Sequence, residues 1–279
     1  MRRRGLVASL AWILAIGCGG GDDYVDRMAE EHKEDAPVAS PAAAAEPAVA
    51  VEASRVVYAD HEGVETAGFL ARPAEAGEGA PGMIVIHEWW GLNENIESMA
   101  RQLAGEGYLA LAVDLYGGRV ATDRDGAREL MTEAGGNRES IEQNLRDAYA
   151  YLKSQGATKV GSIGWCFGGG WSLQTALLLP GELDAAVIYY GRVVTDRDRL
   201  AGVTAPILGH FGSEDQGIPV AGVREFEAAL EDLGKDARIH VYEGANHAFA
   251  NPSGTRYDAA AASQAWERTL AFLAEYLKS

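Results

Sequence analysis

The sequence predicts an α/β fold: a mostly parallel sheet with helices on both faces, preceded by a signal-like end and a disordered tether. Two observations carry this. Short apolar runs recur through the second two-thirds of the chain, and segments of helical periodicity separate them. Uninterrupted apolar runs suit strands buried on both faces, and their alternation with helices implies right-handed crossovers in one parallel sheet. The composition agrees, since 47% of the 279 residues are hydrophobic and 34 are glycine against 9 proline, which is enough apolar material for a sizeable core.

Taken in order, Arg55–Tyr58 and Glu65–Leu70 read as an antiparallel opening pair joined by a turn at Asp60-His61-Glu62-Gly63. The apolar runs that follow are Met83–Ile86, Leu109–Val113, Val160–Ile163, Ala185–Tyr189, Pro206–Phe211 and Arg238–Tyr242. Helical patterns lie at Asn93–Gly105, Arg138–Ser154, Gly168–Leu179, Val220–Leu233 and Tyr257–Lys278. In such sheets function sits at the carboxyl ends of the strands, so chemistry is expected just after each apolar run.

The ends of the chain read differently. Residues 1–18 combine Arg2-Arg3-Arg4, an apolar run from Leu6 to Ile16 and Gly17-Cys18, the layout of an export signal and too short to span a bilayer. Leu14-Ala15-Ile16-Gly17-Cys18 resembles a bacterial lipobox, which implies lipidation of Cys18 and an exported protein, membrane-anchored and facing the periplasm, or otherwise periplasmic or secreted. Residues 19–52, with charge clusters and an Ala/Pro/Glu tract around Pro41–Pro47, are expected to form a disordered tether. That leaves one domain at 53–279. Two cysteines exclude a disulfide scaffold, and a net charge of −17 without a basic stripe argues against nucleic-acid binding. Contact with a membrane is expected only through the N-terminal anchor.

After the run Val160–Ile163 comes Gly164-Trp165-Cys166-Phe167-Gly168, a G-x-nucleophile-x-G elbow with cysteine in place of serine. A sharp strand-to-helix turn leaves no room for side chains two residues either side, and the helix start favours a thiolate. Cys166 could equally be a buried core cysteine on this motif alone. Downstream, Asp215 (with Glu214 as competitor for the acid) and His247 each follow a strand, in the order nucleophile, acid, histidine. Of the other histidines, His32 falls in the tether, His61 in the first turn, His87 out of triad order, and His210 and His240 inside strand patterns. The backbone N–H groups of Trp89 and Phe167 are the expected oxyanion donors, and Glu88 is a carboxylate beside the elbow.

With His87-Glu88-Trp89-Trp90-Gly91, Asp114-Leu115-Tyr116, Gly164–Gly169, Tyr189-Tyr190-Gly191, Gly212–Asp215 and Asn246–Phe249 in place, residues 55–278 resemble the dienelactone hydrolases (carboxymethylenebutenolidases). The resemblance implies an α/β-hydrolase fold, hydrolysis of a small ester or lactone by a Cys166-His247-Asp215 triad, and no metal or other cofactor. It implies that Glu88 helps deprotonate Cys166 when substrate arrives, and that Tyr116 and an arginine, Arg119 being nearest, border the substrate. Tyr190 joins Trp89, Trp90 and Phe167 as candidate pocket lining. Where the family carries an arginine four residues after the histidine to hold a substrate carboxylate, this chain has Asn251, so a neutral or differently charged ester is expected. The alternatives are a non-catalytic small-molecule-binding lipoprotein on the same fold, and a thiol redox role that the missing resolving cysteine disfavours.

Overall fold

The computed structural model describes residues 22–35, 37, 46–75 and 79–279; the signal and Cys18 lie outside them. The elements are α1 (Asp22–Glu31), β1 (Val51–His61), β2 (Val64–Pro73), β3 (Gly82–Ile86), α2 (Glu94–Gly105), β4 (Leu109–Val113), α3 (Arg124–Gly136) and α4 (Arg138–Ser154). They continue with β5 (Val160–Trp165), α5 (Phe167–Leu178), β6 (Ala185–Tyr189), α6 (Arg197–Leu200), β7 (Ile207–Gly212), α7 (Val220–Asp232), β8 (Ala237–Tyr242) and α8 (Ala259–Leu277).

Eight strands form one sheet in the order β1-β2-β4-β3-β5-β6-β7-β8. The opening hairpin joins it antiparallel through β2 and β4, and every pair from β4 to β8 is parallel. Every residue of β3, β4, β5, β6 and β7 is buried, as continuous apolar runs require, so the core lies along both faces of the central strands. This is an α/β-hydrolase-like fold. Because β3, β5, β6, β7 and β8 run the same way, the residues just after them share one rim of the sheet.

Two helices in the body go beyond the sequence reading, α3 and the four-residue α6. At the N-terminus, where 19–52 read as a disordered tether, residues 19–21, 36 and 38–45 lie outside the described residues, and the rest differ from the reading. Within that stretch Asp22–Glu31 is helical and packs on the body, with Tyr24, Met28 and His32 all buried, and β1 begins at Val51. Its polar composition hides a one-sided helix: Tyr24, Met28 and His32 recur every four residues and so share a face. None of the helices among the described residues is long and apolar enough to cross a membrane.

Candidate active site

Each strand end delivers one chemical group to the shared rim. At the end of β5 the chain turns into α5 through Cys166, whose φ of 54° and ψ of −115° place a non-glycine residue in a sparsely populated region. Close packing enforces this turn. A Cβ on Gly164 would collide with the backbone of Gly168, and one on Gly168 with the carbonyls of Ile86 and His87 at the end of β3. Tyr190 (φ 38°) and Ala248 (φ 59°) hold positive φ as well, after β6 and beside His247. Three of the four non-glycine residues with positive φ among the described residues therefore adjoin the same rim.

The sulfur is fully buried. His247, also buried, approaches through its Nε2, which lies within 4.8 Å of Cys166 Sγ and makes no hydrogen bond. On the other side of the ring, Nδ1 is 2.8 Å from Asp215 Oδ2. A carboxylate accepts only, so Nδ1 carries the proton and Nε2 is left to take one from the thiol. Asp215 is fixed in turn by the Ile218 N–H, which donates to Oδ1 at 2.7 Å, whereas Glu214 is exposed. Between the two acids of that turn, the geometry puts Asp215 on the imidazole.

The electrostatics follow from burial and these contacts. Burial opposes a charged thiol, but His247 and His32 beside it outweigh that and bring Cys166 down to about 6. Burial likewise opposes a charged His247, yet the Asp215 and Cys166 charges raise it well above the ordinary imidazole value. Sulfur and ring therefore favour the thiolate–imidazolium pair. Phe167 opens α5, so its amide N–H is among those at a helix start that lack an intrahelical acceptor, and Trp89 is buried in the turn after β3. Glu88 follows β3. Burial and the Cys166 charge raise its carboxyl to about 7. Its Oε2 accepts from Asn251 Nδ2 at 2.8 Å, and its Oε1 is buried with no partner. Asn251 thus stands where the resemblance expects an arginine and supplies one neutral donor instead of a charged fork.

His87 is structural. Its Nε2 accepts from the Leu115 N–H at 3.1 Å and its Nδ1 donates to the Glu88 carbonyl at 2.6 Å, so it ties the end of β3 to the end of β4. His210 is buried between the Tyr242 hydroxyl at 2.9 Å and the Thr269 hydroxyl at 3.1 Å, as a packed strand histidine should be. Tyr116 and Tyr190 are buried with unpartnered hydroxyls, Tyr116 against His87 and Phe167, Tyr190 against His247. Arg119 does not join them. Its guanidinium is about half exposed and pairs with Glu133 on α3, because the loop after β4 turns that side chain outward.

Sequence reasoning missed the residues of the N-terminal segment. His32, placed in the tether on sequence, sits over the thiol with Nε2 3.8 Å from Sγ, stacked 4.6 Å from the Trp89 ring. Met28 Sδ lies 3.9 Å from the same sulfur. Arg256 anchors the segment, reaching Glu31 Oε2 and Asp35 Oδ2 at 2.8 Å each, and Arg192 stands over the Tyr24 ring. The 4-residue recurrence of Tyr24, Met28 and His32 is the signal that could have found them. Beside this cover, a cavity of about 470 Å³ opens at Tyr24, Phe167, Trp171 and Arg192.

The pattern of the dienelactone hydrolase family matches residues 66–277. A Saccharolobus solfataricus protein named "Putative carboxymethylenebutenolidase" is 34% identical over 254 residues, covering 78% of this chain and 96% of that one. "Protein usf" of Aquifex pyrophilus is 34% identical over 231 residues, covering 80% and 99%. Among solved structures, a "Putative Dienelactone Hydrolase" of Klebsiella pneumoniae superposes with a TM-score of 0.74 at 29% identity, covering 81% of this chain and 100% of the other. These likenesses span the body that carries Cys166, Asp215 and His247, and the chain belongs to the dienelactone hydrolase family of carboxylic ester hydrolases.

Proposed function

We propose that the protein hydrolyses a small neutral ester or lactone with Cys166 as nucleophile. The observation that carries this reading is the line Asp215–His247–Cys166 at the elbow, with a thiol brought down to about 6. The thiolate attacks the carbonyl carbon, and the N–H groups of Trp89 and Phe167 receive the oxyanion, each such donor being worth about 3 kcal/mol of barrier. Collapse expels the alkoxide, which takes the proton from His247, and a thioester on Cys166 remains. Water then gives a proton to His247 and attacks the thioester, releasing the acid and restoring the thiol. Asp215 holds the imidazole tautomer and supports its charge through both steps.

Glu88, with a raised pKa and one free oxygen, is placed to exchange a proton with the thiol as substrate arrives. Tyr116 and Tyr190 would border the substrate. The neutral Asn251 offers no charged fork for a substrate carboxylate, which favours uncharged substrates. We further propose that the chain is exported and lipidated at Cys18, so that the enzyme works on the periplasmic side of a membrane. Hydrolysis of p-nitrophenyl acetate tests the mechanism: Cys166→Ala should abolish turnover, and turnover equal to the parent enzyme would refute it.

A further inference from the structure

The N-terminal segment does more than cover the thiol. His32 Nε2, His247 Nε2 and Cys166 Sγ all lie within 4.8 Å of one another, and all three residues are buried. Two imidazole nitrogens and one thiolate form a donor set that selects zinc and related soft or borderline cations. The Cys166–His32 separation of 3.8 Å is close to the roughly 3.6 Å between sulfur and nitrogen on one tetrahedral zinc ion.

The outer contacts fit as well. His247 Nδ1 is held by Asp215 at 2.8 Å, and His32 Nδ1 lies 2.8 Å from Asp35 Oδ2. A guanidinium cannot accept, so although Arg256 Nη2 stands 3.1 Å from His32 Nδ1, that nitrogen keeps its proton for Asp35. Both rings thus turn Nε2 inward with a carboxylate behind, the arrangement that orients metal-bound imidazoles. His247 Nε2 is fully buried and aimed into this space, with the Cys166 sulfur beside it and no hydrogen bond of its own.

We propose that the docked N-terminal segment completes a buried zinc-type site, His32-Cys166-His247, in which the metal silences the nucleophile. The inference rests on the hydrolase reading only for its consequence, inhibition; the site itself stands on geometry. Binding releases to solvent the proton that the Cys166–His247 pair holds, and Sγ and the two Nε2 lone pairs bond to the cation while each Nδ1 keeps its proton and donates it to its carboxylate. The metal takes no part in the ester reaction, and its removal frees the thiolate.

Titration of the full-length, metal-free protein with Co²⁺ tests this. The proposal expects a thiolate-to-cobalt charge-transfer band that saturates at one equivalent, is displaced by Zn²⁺, and is accompanied by loss of Cys166 alkylation by iodoacetamide. His32→Ala should weaken Co²⁺ binding at least 10-fold, and Asp35→Asn by about 10- to 100-fold as for other residues that orient a ligand. Absence of the band, or equal affinity in both variants, would overturn it. The spectrum needs no turnover, so a protein that binds cobalt but cleaves no ester when free of metal defeats the hydrolase reading alone. One that cleaves esters without binding cobalt defeats the metal site alone.

Discussion

Met28 reports directly on whether the N-terminal helix controls access to the thiol. Its side chain is fully buried, its Sδ is 3.9 Å from Cys166 Sγ, and its methyl group is packed so closely on Gly217 that a Cβ there would collide with it. Truncating a buried methionine to alanine costs about 2–5 kcal/mol in a fully packed core. We take about 2 kcal/mol for a helix docked at the rim, and this loss falls on docking because Met28 belongs to α1. At 1.4 kcal/mol per factor of ten, Met28→Ala should raise the undocked population about 30-fold. If only the undocked state admits substrate, kcat/KM rises by up to the same factor, with a ceiling once undocking is complete. The assay is p-nitrophenyl acetate hydrolysis alongside the iodoacetamide alkylation rate of Cys166, both in metal-free buffer. Unchanged or slower alkylation, with unchanged kcat/KM, would refute the claim that α1 gates the site.

Three further outcomes follow from the geometry. Alkylation of Cys166 in metal-free protein should rise with pH about a midpoint near 6, because the depressed thiol ionises as pH climbs through that value; a midpoint near that of a free thiol would contradict the ion pair. Asn251→Arg should place a cation beside Glu88, lower its carboxyl from about 7, and shift selectivity in kcat/KM towards carboxylate-bearing lactones; the pH–rate profile and a substrate pair with and without a carboxylate measure both. Asp215→Asn should cut kcat by about 10³- to 10⁴-fold while leaving the fold intact by circular dichroism, since Asp215 fixes the His247 tautomer.

Much of this site was legible in the sequence because its signals are local. Continuous apolar runs mark β3 to β7, and the glycines at 164 and 168 mark a turn whose packing tolerates nothing larger. The same logic placed Asp215 and His247 after their strands, and a 2.8 Å contact joins them. What the sequence did not show depended on the direction of a side chain or on tertiary docking. Arg119 is near the site in sequence, yet points to Glu133. Helix α1 reads as a polar tether because its stability comes from burying Tyr24, Met28 and His32 against the body rather than from composition. The role of Asn251 needed the 2.8 Å contact to Glu88, which no spacing rule reveals.

Rapid quenching of a p-nitrophenyl acetate reaction in acid, followed by peptide mass spectrometry, addresses the nucleophile itself. The account predicts an acetyl group on Cys166 at short times that decays with turnover and is absent in Cys166→Ala. Full turnover with no acetyl group on Cys166 at any time, or the group on another residue, would contradict it.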